Sequence, residues 1–315
     1  MPMRKLTILL LFIAGTRFAP AGTVWIDTDV SIGSPIREVD DAYAIVLALH
    51  SGEIRIAGIS TSYGNAPLGH TTRAARELVW QFGAEARLRS DQIFAGARSA
   101  ADLGRRNEAS EALAKKLENS SVTYLALGPL TNLATFLQLH PESARKINRV
   151  IFVGGQAQGT TLAFGRNGSF RIHDANVFKD PRATAFVLEA KIPLTLVSSA
   201  TASQLALNAG DLRKLEQGGG AGRYLSRRSK VWLWFWTQFV RTKGGPIFDA
   251  GAVVAATRPD LVAMEERGAT MDGAGNLIVT RGLTSGARTV RYCTSFAPAT
   301  KQIIMRRFMA RQSPD

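Results

Sequence analysis

Short apolar, β-branched runs alternate with helix-period segments along most of this chain, and that alternation constrains its fold more than any other feature. Strands separated by helical segments build βαβ units, whose strands pair in parallel and lie under helices on both faces. The first run covers residues 23–26, and DAYAIVLALH at 41–50 reads as the helix behind it. Strand patterns recur at 54–59, 122–127, 150–153 and 192–197, and helical patterns at 68–82 and 130–139. Asp180-Pro181 opens a further helix, since proline is favoured at the first helical position. A Gly-rich polar loop occupies 155–169, and Gly218-Gly219-Gly220 precedes a helical stretch at 223–242. Gly244-Gly245-Pro246 breaks that stretch ahead of a helix at 248–256. Residues 276–292 read as a terminal hairpin or edge strands, and 298–310 as the last helix. The expected class is α/β: a mainly parallel, Rossmann-like central sheet flanked by helices. No linker is long enough to divide it, so a single domain is expected over 22–315.

The first stretch follows a different logic. Arg4 and Lys5 precede an apolar run, Leu6 to Ala14, and Ala19-Pro20-Ala21 supplies small residues at the spacing a signal peptidase needs. The run is shorter than the roughly 20 apolar residues of a membrane span. Residues 1–21 are therefore expected to be a signal peptide, removed after Ala21, with the mature protein periplasmic or secreted. The lone cysteine, Cys293, excludes an intrachain disulfide, so the fold must rest on its core. With 45% hydrophobic and 20% charged residues the chain has the makings of such a core. Its net charge of +14 falls to +11 once Arg4, Lys5 and Arg17 are removed. The basic residues are scattered, with small clusters only at Arg227-Arg228-Lys230 and Arg306-Arg307, which reads as a solvated basic surface and not a nucleic-acid interface.

Open parallel sheets bind ligands beyond the carboxyl ends of their strands. The groups that follow the strands here are Asp27, Asp29, Asp40, Asp41, Asn65, the Leu127 carbonyl, Asp174 and Asn176. Four aspartates within VWIDTDVSIGSPIREVDDAYA repel one another unless a cation joins them. Helix capping explains one or two of these acids but not four. A hard divalent ion with oxygen ligands is the natural solution, and calcium tolerates mixed carboxylate and carbonyl donors. There is no His or Cys cluster at zinc spacing. A metal beside a carboxylate activates water, so the reaction class is hydrolysis. Asn65 follows Gly64, a common turn pair, so on the residues alone it reads as a turn residue before a site residue. His70 and His173 carry no assignment.

The chain resembles the inosine-uridine-preferring nucleoside hydrolase family. Asp27, Asp29, Asp40 and Asp41 match its opening aspartate motif. STSYGN ending at Asn65, LALGPLTNLA around Leu127, FVGG at 152–155, DANVFKDP at 174–181, FDAGAVVAA from Phe248 and VTRG at 279–282 follow in the family's order. The resemblance covers residues 23–285 and implies hydrolysis of the N-glycosidic bond of ribonucleosides, with Ca2+ as cofactor. It implies metal ligation by Asp29, Asp41, Asp249 and the Leu127 carbonyl, with Asp29 also as general base toward the attacking water. Asp40, Asn65, Asp174 and Asn176 would hold the ribose hydroxyls. The implied partner is a small-molecule ribonucleoside, with no nucleic acid and no stable membrane anchor, and a homodimer or tetramer is compatible with it.

Three departures stand out. Asp29 and Asp40 are separated by ten residues, a longer loop than in the best-known members, with Gly33-Ser34-Pro35 at its tip. Many members carry a leaving-group His where this chain has Phe248. Asp174-Ala175-Asn176 stands where Glu-Phe-Asn is usual. Phe248 is expected to line the substrate pocket, with Trp232, Trp234 or Trp236 as further aromatic wall; Trp232 and Trp236 share a helical face and Trp234 does not. Two other readings compete: a haloacid-dehalogenase-like phosphatase, because Asp27-Thr28-Asp29-Val30 imitates its nucleophile motif, and a non-catalytic nucleoside- or sugar-binding protein on the same fold.

Overall fold

Alternation along the first strand sets up the core. Val24 and Ile26 enter one buried cluster with Tyr43, Ile45 and Val253, while Trp25 enters a second with Tyr124, Phe136 and Phe152. Successive side chains of a strand point to opposite faces, so these clusters are the two sides of one sheet. The computed structural model describes residues 22–33 and 37–310. The expected signal peptide and the tip of the 30–39 loop lie outside the described residues.

The strands are β1 (Gly22–Thr28), β2 (Ile54–Thr61), β3 (Ile93–Ala95), β4 (Val122–Ala126), β5 (Ile147–Val153), β6 (Gln156–Ala157) and the hairpin β7 (Leu162–Phe164) and β8 (Phe170–Ile172). They continue with β9 (Leu194–Val197), the small pair β10 (Ala206–Leu207) and β11 (Gly245–Pro246), β12 (Val262–Met271), β13 (Leu277–Val279) and β14 (Arg288–Phe296). The main sheet runs β3-β2-β1-β4-β5-β9-β14-β12-β13-β6. Every pairing from β3 to β14 is parallel, and β12 pairs antiparallel with both β14 and β13. The expected Rossmann-like α/β class is what forms.

Two expectations are corrected. The segment 276–292 is not a simple edge hairpin: β14 lies inside the sheet between β9 and β12. Its antiparallel partner β12 was hidden by the charged residues of VAMEERGATM, in which Ala263, Glu265 and Glu266 are exposed. The helix expected at 223–242 is three pieces, Gly220–Arg228, Lys230–Trp234 and a π-helical turn Phe235–Phe239. Propensity alone does not report such a turn, which widens the helix locally and is frequent at functional sites. Among the described residues no helix is long and apolar enough to cross a membrane.

Candidate active site

The chain runs outward from β1 through β2 to β3 and then returns to place β4 on the other side of β1. That reversal opens a crevice at the carboxyl ends of β1 and β4, where an open parallel sheet offers its binding site. Asp29 follows β1, Leu127 follows β4, and the Asp174–Asn176 segment arrives after β5 and the β7–β8 hairpin. Asp40 and Asp41 open the helix Asp40–Leu49, and Asp249 immediately precedes the helix Ala250–Thr257. These two helices are buried and pack on each other, which brings their amino ends together. A helix amino terminus carries partial positive charge and favours carboxylates there.

Carboxylate oxygens of Asp40, Asp41 and Asp249 all lie within 4.8 Å of one another, and each residue is buried. Burial pushes all three carboxyls well above their ordinary range. Neighbouring charge adds to it: Glu38, Asp41 and Asp29 act on Asp40, Asp29 acts on Asp41, and Asp40, Asp41 and Asp29 act on Asp249. The Asp40 Oδ1 atom is buried with no hydrogen-bond partner. Thr28 Oγ1 donates a short hydrogen bond to Asp41 Oδ1, and the Asp29 backbone N–H donates to the same oxygen at 3.2 Å. Crowded, desolvated oxygen donors with an orphaned lone pair fit a hard divalent cation, whose charge reverses the penalty on ionisation.

Asp29 is fully buried behind this trio. Its Oδ2 accepts from the Asn65 backbone N–H and from Lys179 Nζ, each at 2.8 Å, and its Oδ1 accepts from Asn65 Nδ2 at 3.3 Å. Asn65 Nδ2 also donates to Asp41 Oδ2 at 3.1 Å. The approach of this loop depends on Gly64: at φ +152° a Cβ would stand 1.8 Å from Asp29 Oδ2. Gly128 is the second close approach, with its Cβ direction 3.2 Å from Asp29 Cγ.

A cavity of about 330 Å³ opens above the carboxylates. Asp40, Asn65, Leu127, Asp174, Asn176 and Asp249 form its floor, and Phe170, Phe235, Trp236 and Phe248 form an aromatic wall. Trp236 meets Phe248 and Phe170 edge to face, with centroids 6.2 Å apart in each pair. Trp232 and Trp236 are buried and Trp234 is exposed, as their helical spacing implied. Of the three, Trp236 lines the cavity, while Trp232 Nε1 donates to Glu38 Oε2 at 2.8 Å and ties this helix to the Asp29–Asp40 loop. Asn176 Nδ2 donates to the carbonyls of Leu127 and Val153 at 2.7 and 3.0 Å. Asp174 caps the helix Ala175–Lys179 and accepts from the Gly155 N–H at 2.6 Å, while burial lifts its carboxyl to about 6.

The sequence placed Asp29, Asp40, Asp41, Asn65, Leu127, Asp174, Asn176, Phe248 and Asp249 in one site, and the fold brings all nine together. Asp27 is the exception. It lies on the Trp25 side of the sheet, where its Oδ1 accepts from Ser60 Oγ at 2.6 Å and Asn132 Nδ2 at 2.8 Å. The strand ends at Thr28, so Asp29 turns into the crevice while Asp27 stays in the core. Asp180 is structural, as read: it caps the helix Pro181–Glu189 and accepts from Thr131 Oγ1 at 2.6 Å. Sequence reasoning missed Lys179 and Glu38. Lys179 was discoverable, because it follows Asn176 by three residues on one helix and shares its face.

A family model for inosine-uridine preferring nucleoside hydrolases matches residues 24–302. The chain is 29% identical to the probable uridine nucleosidase 2 of Arabidopsis thaliana over 90% of this chain and 96% of that one. In structure it is similar to the plant nucleoside hydrolase PpNRh1, with a TM-score of 0.74 at 23% identity over 92% and 98% of the two chains. A purine-preferring ribonucleoside hydrolase from Gardnerella vaginalis gives 0.73 at 19% identity over 91% and 96%. The phosphatase reading gives no role to the converging 127, 174–176 and 249 segments, and the match over nearly the whole described chain sets it aside. With the carboxylate floor, the crevice and the ordered motifs in one place, the chain belongs to the inosine-uridine preferring nucleoside hydrolase family.

Proposed function

We propose that this chain cleaves the N-glycosidic bond of ribonucleosides to free base and ribose, using a calcium ion held by the carboxylate floor. One observation carries the reading: Asp40, Asp41 and Asp249 present oxygens within 4.8 Å of one another, and Asp40 and Asp249 line a cavity with an aromatic wall. By family resemblance the ion is held by Asp29, Asp41, Asp249 and the Leu127 carbonyl, and the geometry adds Asp40 as a neighbour. When bound, the ion supplies Lewis-acid activation of a water molecule and balances the buried charge. Asp29 accepts the proton of the attacking water. Asp40, Asn65, Asp174 and Asn176 hold the ribose hydroxyls, which favours ribose over deoxyribose because an unpaired buried acceptor is costly. Cleavage passes through an oxocarbenium-like state, and the surrounding carboxylates stabilise its positive charge.

The base rests against Phe248 and Trp236. Phe248 has no proton to give, so departure of the base depends on stacking and on protonation by another route. Kinetics of Asp29→Asn test the assignment. A fall of about 10²–10⁴-fold in kcat is expected for loss of a general base, and activity near that of wild type would contradict it. Export belongs to the same proposal: protein recovered from the periplasm of an expressing bacterium should begin at Gly22, and unprocessed protein retained in the cytosol would contradict it.

A further inference from the structure

Lys179 ends the helix Ala175–Lys179 and turns its ammonium into the acidic floor. Nζ lies 2.8 Å from Asp29 Oδ2 and 3.2 Å from Asn65 Oδ1. Its side chain is 18% exposed and that of Asp29 is 1% exposed, so this is an interior ion pair. Among the described residues it is the one ion pair made by Asp29, Asp40, Asp41 or Asp249.

We propose that Lys179 is a tethered counter-ion of the metal pocket, neutralising Asp29 in the metal-free protein and competing with the divalent ion for it. The inference rests on the reading that this floor takes such an ion. An ammonium donates hydrogen bonds and cannot ligate a metal, so it occupies the Asp29 lone pair that a cation would use. A positive charge beside a divalent ion is also repulsive, and weakly screened in a buried site. This chain therefore binds its metal more weakly than its carboxylates alone would, and its pocket stays assembled without metal.

Calorimetric titration of calcium into the full chain tests this, with wild type, Lys179→Met and Lys179→Gln compared at one pH and ionic strength. Lys179→Gln keeps a hydrogen-bond donor and removes the charge. Both variants should bind calcium about tenfold or more tightly than wild type. Their metal-free melting temperatures should fall, and the rise on adding calcium should be larger than in wild type. Equal or weaker calcium affinity in both variants overturns the proposal, and Lys179 is then a positioning residue for Asn65 and Asp29. Should neither variant fold, acetylation of Lys179 in wild type, followed by mass spectrometry, decides the matter. Calcium should increase its reactivity, and unchanged or reduced reactivity overturns the proposal. Wild type that takes up no calcium, magnesium or manganese overturns the metal reading itself, a result distinct from unaltered affinity in the variants.

Discussion

Asparagine in place of Asp27 separates a cost built into the core from the chemistry of the floor. Asp27 is fully buried, and burial lifts its carboxyl from an ordinary value of 3.8 to about 7, against the lowering effect of hydrogen bonds from Ser60 and Asn132. That rise corresponds to about 4 kcal/mol. The folded chain holds the proton more tightly than the unfolded chain. The associated stability is therefore fully present below the ordinary value and is lost as pH rises through about 7. Roughly 3 kcal/mol of the loss falls between about pH 5 and about pH 8. The asparagine side chain cannot ionise and keeps an oxygen for Ser60 and Asn132. Its amide N–H₂ takes the place of Asp27 Oδ2, which has no partner, at a pH-independent cost of about 1–3 kcal/mol. Urea unfolding of wild type and Asp27→Asn at both pH values, in saturating calcium, measures the difference, and titrations common to both proteins cancel. Wild type should lose about 3 kcal/mol more than the variant on going to the higher pH. Parallel pH profiles would refute the argument that this carboxyl is desolvated.

Further outcomes follow from the site. Gly64→Ala puts a methyl group 1.8 Å from Asp29 Oδ2, so Asp29 must move, and kcat should fall by about 10²-fold or more while the protein still folds by circular dichroism. The Asp174 carboxyl ionises at about 6, and the ionised form is the better acceptor for ribose hydroxyls, so KM should fall as pH rises through about 6. In Asp174→Asn that dependence should vanish. Phe248→Ala removes an edge-to-face partner of Trp236 and Phe164, and should lower stability by about 3–5 kcal/mol in urea unfolding and raise KM for nucleosides.

Much of this site was legible because strand ends and helix starts leave marks in sequence. Asp29, Asn65, Leu127 and Asp174 each follow an apolar strand run, and Asp40, Asp41 and Asp249 each precede an apolar helix. The distance between Asp41 and Asp249 along the chain carries no such mark, and the resemblance supplied that link before the packing of their helices explained it. Asp27 was misplaced because the first strand was read as ending at residue 26, whereas it runs to Thr28 and keeps Asp27 in the sheet. Lys179 was overlooked because a lysine ending a short helix normally meets solvent and the helix carbonyls. Here the helix is aimed at the crevice. β12 was not read as a strand, and β14 was read as an edge, because their exposed, charged positions dilute the apolar alternation. Which strands are central is decided by pairing, and pairing is not local.

The most direct test of the central claim is free ribose released from uridine and inosine by the purified chain, first with calcium, then with excess chelator, then with calcium restored. Release with calcium, loss of at least about 10²-fold on chelation, and recovery on restoration are expected. Release that continues undiminished in chelator would contradict the metal-dependent mechanism. Tight binding of ribose with no turnover of any ribonucleoside would leave a binding protein in place of a hydrolase.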